Sequence, residues 1–241
     1  MHLITTEHGG DVSHATVYPQ NELSGESDES EDAGFTLVEM MVVLLVISIL
    51  LAIAIPTFLG TTAVATSRSA QANLNTAYTD AKLQFQNNGQ TFYVNGIQDP
   101  AGLANILTSA QLSLAFHAGS AGSTSATGSS GSPSVVSIAV SIDGNGLVMA
   151  AYSMPGNCYY LVENTSGLNA QSKAAAPYSG GTAVTTSAVV VAPGPIDLPA
   201  GSGTNYVTVA GDTSSDDCNA DTPKASGSST TVQYLTSGFP S

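Results

Sequence analysis

The feature that most constrains this chain is a run of 20 residues without a charged side chain, Met40–Leu59. Only Ser48, Pro56 and Thr57 interrupt its apolar character. At a rise of 1.5 Å per residue, a helix of this length measures about 30 Å, which matches the hydrocarbon core of a bilayer. The run therefore predicts a membrane-spanning helix.

Two alternatives compete with a membrane span, namely a cleaved secretory signal and the buried core helix of a soluble domain. A secretory signal has a basic start, a shorter apolar region and a small-residue cleavage site. In this chain the preceding residues are acidic, and Pro56-Thr57-Phe58 does not provide such a site. The pattern favours the membrane span over both alternatives.

Charge is distributed unevenly along the chain. The 241 residues contain 4 Lys and Arg against 18 Asp and Glu, giving a formal net charge of −14. Eight of the acidic residues, and none of the basic ones, lie in residues 1–34. So few basic residues exclude a nucleic-acid binder that works by neutralising phosphates. The acidic run at 26–32 is typical of a solvated, disordered tail.

A specific motif stands at the junction of the acidic tail and the apolar run. It reads Gly34-Phe35-Thr36-Leu37-Val38-Glu39-Met40, and the apolar run that follows contains Ile55-Pro56. A carboxylate at the start of a membrane span is costly and tends to be functional or paired. The bland interpretation is that Glu39 marks the membrane edge. The motif resembles the class III signal and N-terminal helix of bacterial type IV pilins and pseudopilins, over residues 34–59.

The resemblance implies a processing and assembly pathway. A prepilin peptidase would cut between Gly34 and Phe35 and methylate the new amine of Phe35. The subunit would wait in the inner membrane until an assembly platform and its ATPase machinery pack it, helix by helix, into a filament of identical or mixed subunits. In the filament, Glu39 would pair with the Phe35 amine of a neighbour, and such a buried pair sets register more than it adds stability.

The chain departs from the family pattern at two places. Family leaders usually carry Lys or Arg near the cleavage point, whereas here Arg68 and Lys82 follow the span instead. The positive-inside rule therefore gives no support for the orientation of the span in the membrane, which rests on the resemblance.

Pro56 removes a helical hydrogen bond and predicts a kink in the apolar helix. Many family members have Gly where this chain has Ser48, and serine is the better helix former.

Helical periodicity continues after the apolar run. Apolar residues recur at steps of three and four, forming one stripe: Ala70, Leu74, Ala77, Tyr78, Ala81 and Phe85. Asn87-Asn88-Gly89 predicts the helix end. Four segments are therefore expected, namely a cleaved acidic leader at 1–34, a transmembrane and filament-core helix at 35–60, an amphipathic helix at 61–89 and a β-rich head at 90–241.

The head is predicted to be an antiparallel sheet packed on the amphipathic helix, which makes the fold class α+β and type IV pilin-like. The strand-like runs are Val135–Ile142, Leu147–Ser153, Cys158–Glu163, Ala183–Ala192, Tyr206–Ala210 and Thr231–Leu235. Asp143-Gly144-Asn145-Gly146 predicts a hairpin turn. The Gly/Ser/Thr-rich stretch 118–134 predicts a flexible loop, with an O-glycosylated surface as the lesser alternative.

Cys158 and Cys218 are the only cysteines, and an even count in a domain expected outside the cytoplasm favours a disulfide. Pilins commonly fasten their C-terminal region with such a bridge. The acidic loop 212–221 is predicted to be solvated, and calcium binding there is the less favoured interpretation. Asn164-Thr165-Ser166 matches the N-glycosylation pattern, which is too short to carry weight.

No pattern in the head predicts an enzyme or a cofactor site. Its one histidine, His117, has no Cys, Ser or carboxylate partners in a catalytic spacing. Three hypotheses remain. The first is a filament-forming pilin with a role in adhesion, motility or DNA uptake. The second is a minor pilin or a pseudopilin of a secretion or competence system. The third is a single-pass anchored binding module that never polymerises.

Overall fold

The computed structural model of the protein describes residues 34–119, 129–154, 156–178, 187–211, 214, 218–227 and 229–239. By its internal contacts the chain divides into two compact units, Met1–Ile49 and Leu50–Ser241. Apart from Gly34, the predicted leader lies outside the described residues.

Helix α1 spans Leu37–Asn87. Its buried side chains are Ala70, Leu74, Ala77, Ala81 and Phe85, which confirms five members of the predicted stripe. Tyr78 is partly buried beside them. The helix ends where the sequence predicts, because Gly89 adopts φ +70° and the N–H of Gln90 donates to the carbonyl of Phe85 at 3.0 Å. This is a Schellman cap, which favours glycine because the backbone is left-handed there.

The remaining elements lie in the head. Two short helices are α2, Pro100–Ala110, and α3, Ala170–Ala174. The strands are β1 (Ala115–Ala118), β2 (Val135–Val140), β3 (Gly146–Ser153), β4 (Asn157–Asn164), β5 (Val189–Val191), β6 (Gly194–Pro195), β7 (Gly203–Ala210), β8 (Lys224–Ala225) and β9 (Thr230–Leu235).

The strands form a seven-stranded sheet in the order β1-β2-β3-β4-β7-β9-β5, and β6 pairs with β8. Every neighbouring pair in the large sheet is antiparallel except β1 and β2, which are parallel. The predicted α+β fold, a long helix packed on a mostly antiparallel sheet, is therefore confirmed. The turn between β2 and β3 contains Gly144 at φ +71°, as the sequence predicts.

One face of the sheet packs on the second half of α1. Leu74, Ala77 and Ala81 of the helix belong to the same buried cluster as Ile138 of β2 and Met149 of β3. Helix α2 contributes three more side chains to this cluster, Leu103, Ala104 and Leu107. Asp99 caps α2 by accepting from the N–H of Gly102 at 2.8 Å, and Pro100 occupies the first turn.

The other face of the sheet is also covered, and it forms a second buried cluster. Tyr160, Val162 and Val207 point into it and meet segments that follow the strands, including Tyr178 and Leu198. Burial on both faces explains why β3 and β4 read as nearly continuous apolar runs rather than alternating ones. The sequence predicted burial only for the face of the sheet that packs on α1.

Two predicted segments differ from the structure. Of the predicted strand at 183–192, the described residues form a strand at Val189–Val191, and residues 183–186 lie outside the described residues. Within the predicted loop at 118–134, Ala118 ends β1, and residues 120–128 lie outside the described residues.

The end of that predicted loop is packed. Ser130 is fully buried, and its hydroxyl lies 3.0 Å from the carbonyl of Ser132 and accepts from the N–H of Tyr152 at 2.7 Å. Ser129 is also buried and forms a β-bridge with Asn219. The prediction of a flexible loop is therefore wrong for these residues, because their polar groups are satisfied inside the head rather than by water.

Candidate functional site: the N-terminal helix

The start of α1 is held by a reciprocal pair of side chains, Thr36 and Glu39. The hydroxyl of Thr36 accepts from the N–H of Glu39 at 3.2 Å, and one carboxylate oxygen of Glu39, Oε2, accepts from the N–H of Thr36 at 3.0 Å. The Thr36 hydroxyl also donates to that oxygen at 3.0 Å. This is a capping box, in which each side chain satisfies a backbone donor that the helix leaves unpaired.

The capping box gives Glu39 a role that the family resemblance did not suggest. The signal for it was present in the sequence, since Thr-x-x-Glu before an apolar run is a helix-start pattern. Both contacts from Thr36 go to Oε2. The carboxylate can therefore cap its own helix through one oxygen and still meet a second donor through Oε1.

The residues on either side of the predicted cleavage point lie open. Phe35 is 78% exposed. A Cβ atom placed on Gly34 would meet no atom within 4 Å. Because the fold makes no steric demand for glycine at this position, any requirement for Gly34 must come from outside the folded chain.

The first half of α1 presents an apolar surface with no protein covering it. Every residue from Met40 to Leu59 is exposed. In the part of the chain that the structure describes, α1 is the one helix long and apolar enough to cross a membrane. A contiguous apolar surface of this kind marks a membrane-spanning or association surface.

Helix α1 continues through Pro56. Proline has no N–H to donate, so the carbonyl of Ala52 loses its helical partner. At the next residue, the Thr57 hydroxyl lies 3.2 and 2.9 Å from the carbonyls of Ile53 and Ala54, to which it bonds back. Ser48 likewise donates to the carbonyl of Leu45 at 2.7 Å. Such back-bonding keeps small hydroxyls compatible with an apolar helix.

A polar cluster ties the second half of α1 to the sheet. Lys82 donates to the carboxylate of Glu163 at 2.8 Å, and the hydroxyls of Thr204 and Tyr78 donate to its other oxygen at 2.5 and 3.1 Å. Glu163 is 5% exposed. The sequence pattern did not predict this cluster, although a lone acidic residue in the apolar strand-like run Cys158–Glu163 indicates the need for a basic partner.

The environment of Glu163 decides its charge. Burial raises the pKa of Glu163, but the hydrogen bonds from Lys82, Thr204 and Tyr78 and the charge of Lys82 outweigh burial, so the net pKa is lowered from 4.5. The carboxylate therefore stays ionised at neutral pH and pairs with Lys82 across the helix and the sheet.

Cys158 and Cys218 form a disulfide with a Cα–Cα distance of 5.5 Å. The bridge joins β4 to the segment that covers the second face of the sheet. Asp212, Asp216 and Asp217 of the acidic loop lie outside the described residues. Of its described members, Asn219 accepts from the N–H of Asp221 at 2.9 Å, and burial raises the pKa of Asp221. No group of three or more metal-binding side chains occurs among the described residues.

Asn164, the asparagine of the N-glycosylation pattern, is fully buried. Its amide nitrogen donates to the carbonyls of Pro199 and Gly201 at 3.0 and 2.8 Å, and its oxygen accepts from the hydroxyl of Tyr178 at 2.8 Å. The side chain is thus committed to the interior of the head and is not a surface acceptor in the folded chain.

A comparison with protein families assigns the N-terminal segment. The family model described as prokaryotic N-terminal methylation motif matches residues 30–55, which include Gly34, Phe35 and Glu39. The N-terminal segment therefore carries a class III signal. More particularly, this is the signal of type IV pilins and pseudopilins, and it indicates a structural protein. No curated protein and no solved structure matches the chain.

Proposed function

We propose that this protein is a structural subunit of a type IV pilus-like filament. A prepilin peptidase removes residues 1–34 and methylates the amine of Phe35, and the subunits then assemble through the first half of α1. The observation that carries the proposal is the methylation motif at 30–55, which covers the start of α1 and most of its exposed run without charged residues, Met40–Leu59. Such a helix needs lipid or another apolar helix to cover it.

The proposal assigns a task to each segment. Residues 1–34 are the leader, 35–60 anchor the precursor in the inner membrane and later form the filament core, and 61–89 carry the head at 90–241. The partners are other copies of the chain, the peptidase and methyltransferase, and the assembly platform with its ATPase. After assembly the head lies on the cell surface.

The mature N-terminus provides the first test. The full chain is produced with a prepilin peptidase, and intact-mass and peptide mass spectrometry are used to identify the first residue. We expect N-methylated Phe35 as the new N-terminus. A chain that retains residues 1–34, or that begins elsewhere, would refute processing and leave the membrane-anchored binding module as the better hypothesis.

The charge of Glu39 provides the second test, and the capping box supplies a matched pair of variants. Glu39→Gln keeps a side chain that can cap the helix but removes the charge, whereas Glu39→Val removes both. Pairing with the Phe35 amine of a neighbour predicts normal processing and strongly reduced filament yield in both variants. If Glu39→Gln assembled as well as the wild type, the glutamate would act as a cap and the intersubunit pair would be wrong.

Abundance separates a major pilin from a minor pilin or pseudopilin. A major subunit dominates sheared filaments from the native host, whereas a priming subunit is scarce in them. The low charge and the Ser, Thr and Gly content of the head favour an abundant, exposed coat. Quantitative mass spectrometry of sheared filaments therefore decides between the two, with a minor fraction supporting the alternative.

A further inference from the structure

A polar cavity opens on the head where the C-terminal end of α1 meets the sheet. Its volume is about 370 Å³, which lies within the range of about 300 to 1,000 Å³ that is typical of small-molecule sites. Lys82 and Gln90 line it on the side of α1, and Asn145, Glu163 and Ser166 line it on the side of the sheet. Amide, hydroxyl and charged groups therefore surround the space.

The two ionic side chains of the cavity neutralise each other. Lys82 donates to Oε1 of Glu163 at 2.8 Å, and the hydroxyls of Thr204 and Tyr78 donate to Oε2. A cationic ligand would find both carboxylate oxygens already bonded to donors. An anionic ligand could reach Lys82 only beside the negative charge of Glu163, which would repel it. The cavity therefore disfavours charged ligands of either sign.

Three neutral side chains at the cavity have no partner within the protein. In the part of the chain that the structure describes, the side chains of Gln90, Asn145 and Ser166 form no hydrogen bond with another residue. Two amides and a hydroxyl supply both donors and acceptors. An apolar ligand would remove water from these groups without replacing its hydrogen bonds. A molecule with several hydroxyl groups, each of them donor and acceptor, meets the requirement.

The turns that carry Asn145 and Ser166 are bonded to each other. The N–H and the hydroxyl of Thr165 donate to the carbonyl of Asn145 at 2.9 and 3.0 Å. The N–H of Asn145 donates in turn to the carboxylate of Asp143 at 3.1 Å. These bonds join the turn between β2 and β3 to the segment that follows β4. Because this backbone is already fixed, a ligand does not have to order it on binding.

Gln90 reaches the cavity from a strained backbone conformation. Its φ is +63°, in the left-handed region that disfavours residues with a Cβ atom. The N–H of Gln90 donates to the carbonyl of Phe85 at 3.0 Å, and a glycine at this position would make the same bond without strain. The end of α1 therefore does not require glutamine here. Strain that the fold does not need is typical of binding sites.

We infer that the cavity binds a neutral sugar unit, free or as part of a polymer. The sugar hydroxyls bond to the amides of Gln90 and Asn145 and to the hydroxyl of Ser166. The Lys82–Glu163 pair forms a polar wall without net charge. The inference goes beyond the proposed function, because it requires only the folded head and holds whether or not copies of the chain assemble.

Titration of the full chain with defined probes tests the inference. The chain is prepared in a phosphocholine detergent, because a detergent with a sugar head group would compete for the cavity. Glucose, galactose, mannose and N-acetylglucosamine are each added as the free sugar and as a short neutral oligosaccharide, and binding is followed by NMR. Three control probes are glucuronate and glucosamine, which carry opposite charges, and N-acetylglycinamide, which has amides but no hydroxyl.

Two variants change the cavity, and a third is the matched control. Gln90→Gly removes an amide together with the left-handed strain, and Asn145→Ala removes the second amide while leaving its backbone bonds. Gln86→Ala shortens an exposed glutamine-type side chain that does not line the cavity. Thermal unfolding establishes that each variant is folded. The midpoint of Gln90→Gly should not fall, because glycine adopts the left-handed conformation freely.

We expect at least one neutral sugar to bind the wild type, with a Kd that rises about tenfold in Gln90→Gly and in Asn145→Ala. Gln86→Ala should bind like the wild type. Tighter binding of the oligosaccharide assigns the ligand to a polymer, and equal binding assigns it to the free sugar.

Three results would overturn the inference. The first is that no neutral sugar binds the wild type. The second is wild-type affinity in either cavity variant, or an equal loss in Gln86→Ala. The third is that a charged probe or N-acetylglycinamide binds as tightly as the sugars. Filament yield is measured separately, so a failure of sugar binding leaves the proposed function standing, and a failure of assembly leaves this inference standing.

Discussion

The two halves of α1 differ in how their sequences are used. From Met40 to Leu59 every side chain is exposed, although nearly all are apolar. From Ala70 to Phe85 one stripe is buried and the other faces carry polar residues. The second half therefore contributes to the stability of the head, whereas the first half leaves its apolar surface open to contact with lipid or another chain. Mutations in the two halves should accordingly affect different measurements.

The largest expected effect on folding comes from the disulfide between Cys158 and Cys218, which joins β4 to the segment covering the sheet face opposite α1. Replacing Cys158 and Cys218 together by Ser should lower the free energy of unfolding by about 4 kcal/mol, the chain-entropy value for a closed loop of this length. Denaturant unfolding of the full chain in detergent measures the loss. Processing at Gly34 should not change. An unaltered unfolding midpoint would mean that the second cluster is stable without the bridge.

Two leucines, one in each half of α1, test the difference between the halves directly. Leu74 is fully buried and Leu44 is exposed, so Leu74→Ala should destabilise the head by about 3 kcal/mol and Leu44→Ala by less than about 0.5 kcal/mol. The same unfolding measurement serves both variants. Equal destabilisation by the two substitutions would break the comparison, since it would make the exposed half part of the folded core.

The Lys82–Glu163 pair should make the attachment of α1 dependent on pH. Because the pKa of Glu163 is lowered in the folded chain, its stabilising contribution is complete above the ordinary value of 4.5. The contribution is lost as the pH falls through the lowered value. Glu163→Gln should cost about 1.5 kcal/mol at pH 7, a modest value because Lys82 is partly exposed.

Unfolding of the wild type and of Glu163→Gln, measured from pH 7 to pH 3, checks this linkage. The difference between the two proteins should shrink toward acid pH. A constant difference across the range would show that the ionised carboxylate contributes nothing beyond its shape.

The smallest expected effect on folding is that of Gly34→Ala. The added methyl group meets no neighbouring atom, so the unfolding free energy of the precursor should be unchanged within about 0.5 kcal/mol. Cleavage should nevertheless fail, because an extended backbone has to enter a narrow protease site. Normal cleavage of this variant, detected by the mass of the product, would contradict a steric role for the glycine.

Much of α1 could be predicted because its signals are local. The stripe of Leu74, Ala77 and Ala81 follows the helical period, and Gly89 supplies the conformation that ends the helix. Helix α2 was missed, although Asp99 and Pro100 are a helix start, because a helix of 11 residues gives a weak periodic signal.

The second face of the sheet could not be predicted for a different reason. Tyr178 and Leu198 reach Tyr160 and Val207 from segments that have no regular period, so nothing local indicates which strand face they cover. The partner of Glu163 was hidden in the same way, since 81 residues separate it from Lys82. In the N-terminal segment, by contrast, Thr36 and Glu39 are neighbours in sequence, and the capping box could have been recognised.

The commitment of Asn164 to the interior has a practical consequence for producing this protein. A eukaryotic secretory host attaches sugars to Asn-x-Ser/Thr sites on the nascent chain, and the pattern at 164–166 is such a site. A sugar on the amide nitrogen would displace the donors that now bond Pro199 and Gly201. Bacterial expression, or Ser166→Ala in a eukaryotic cell line, avoids attaching a sugar to the buried Asn164 side chain.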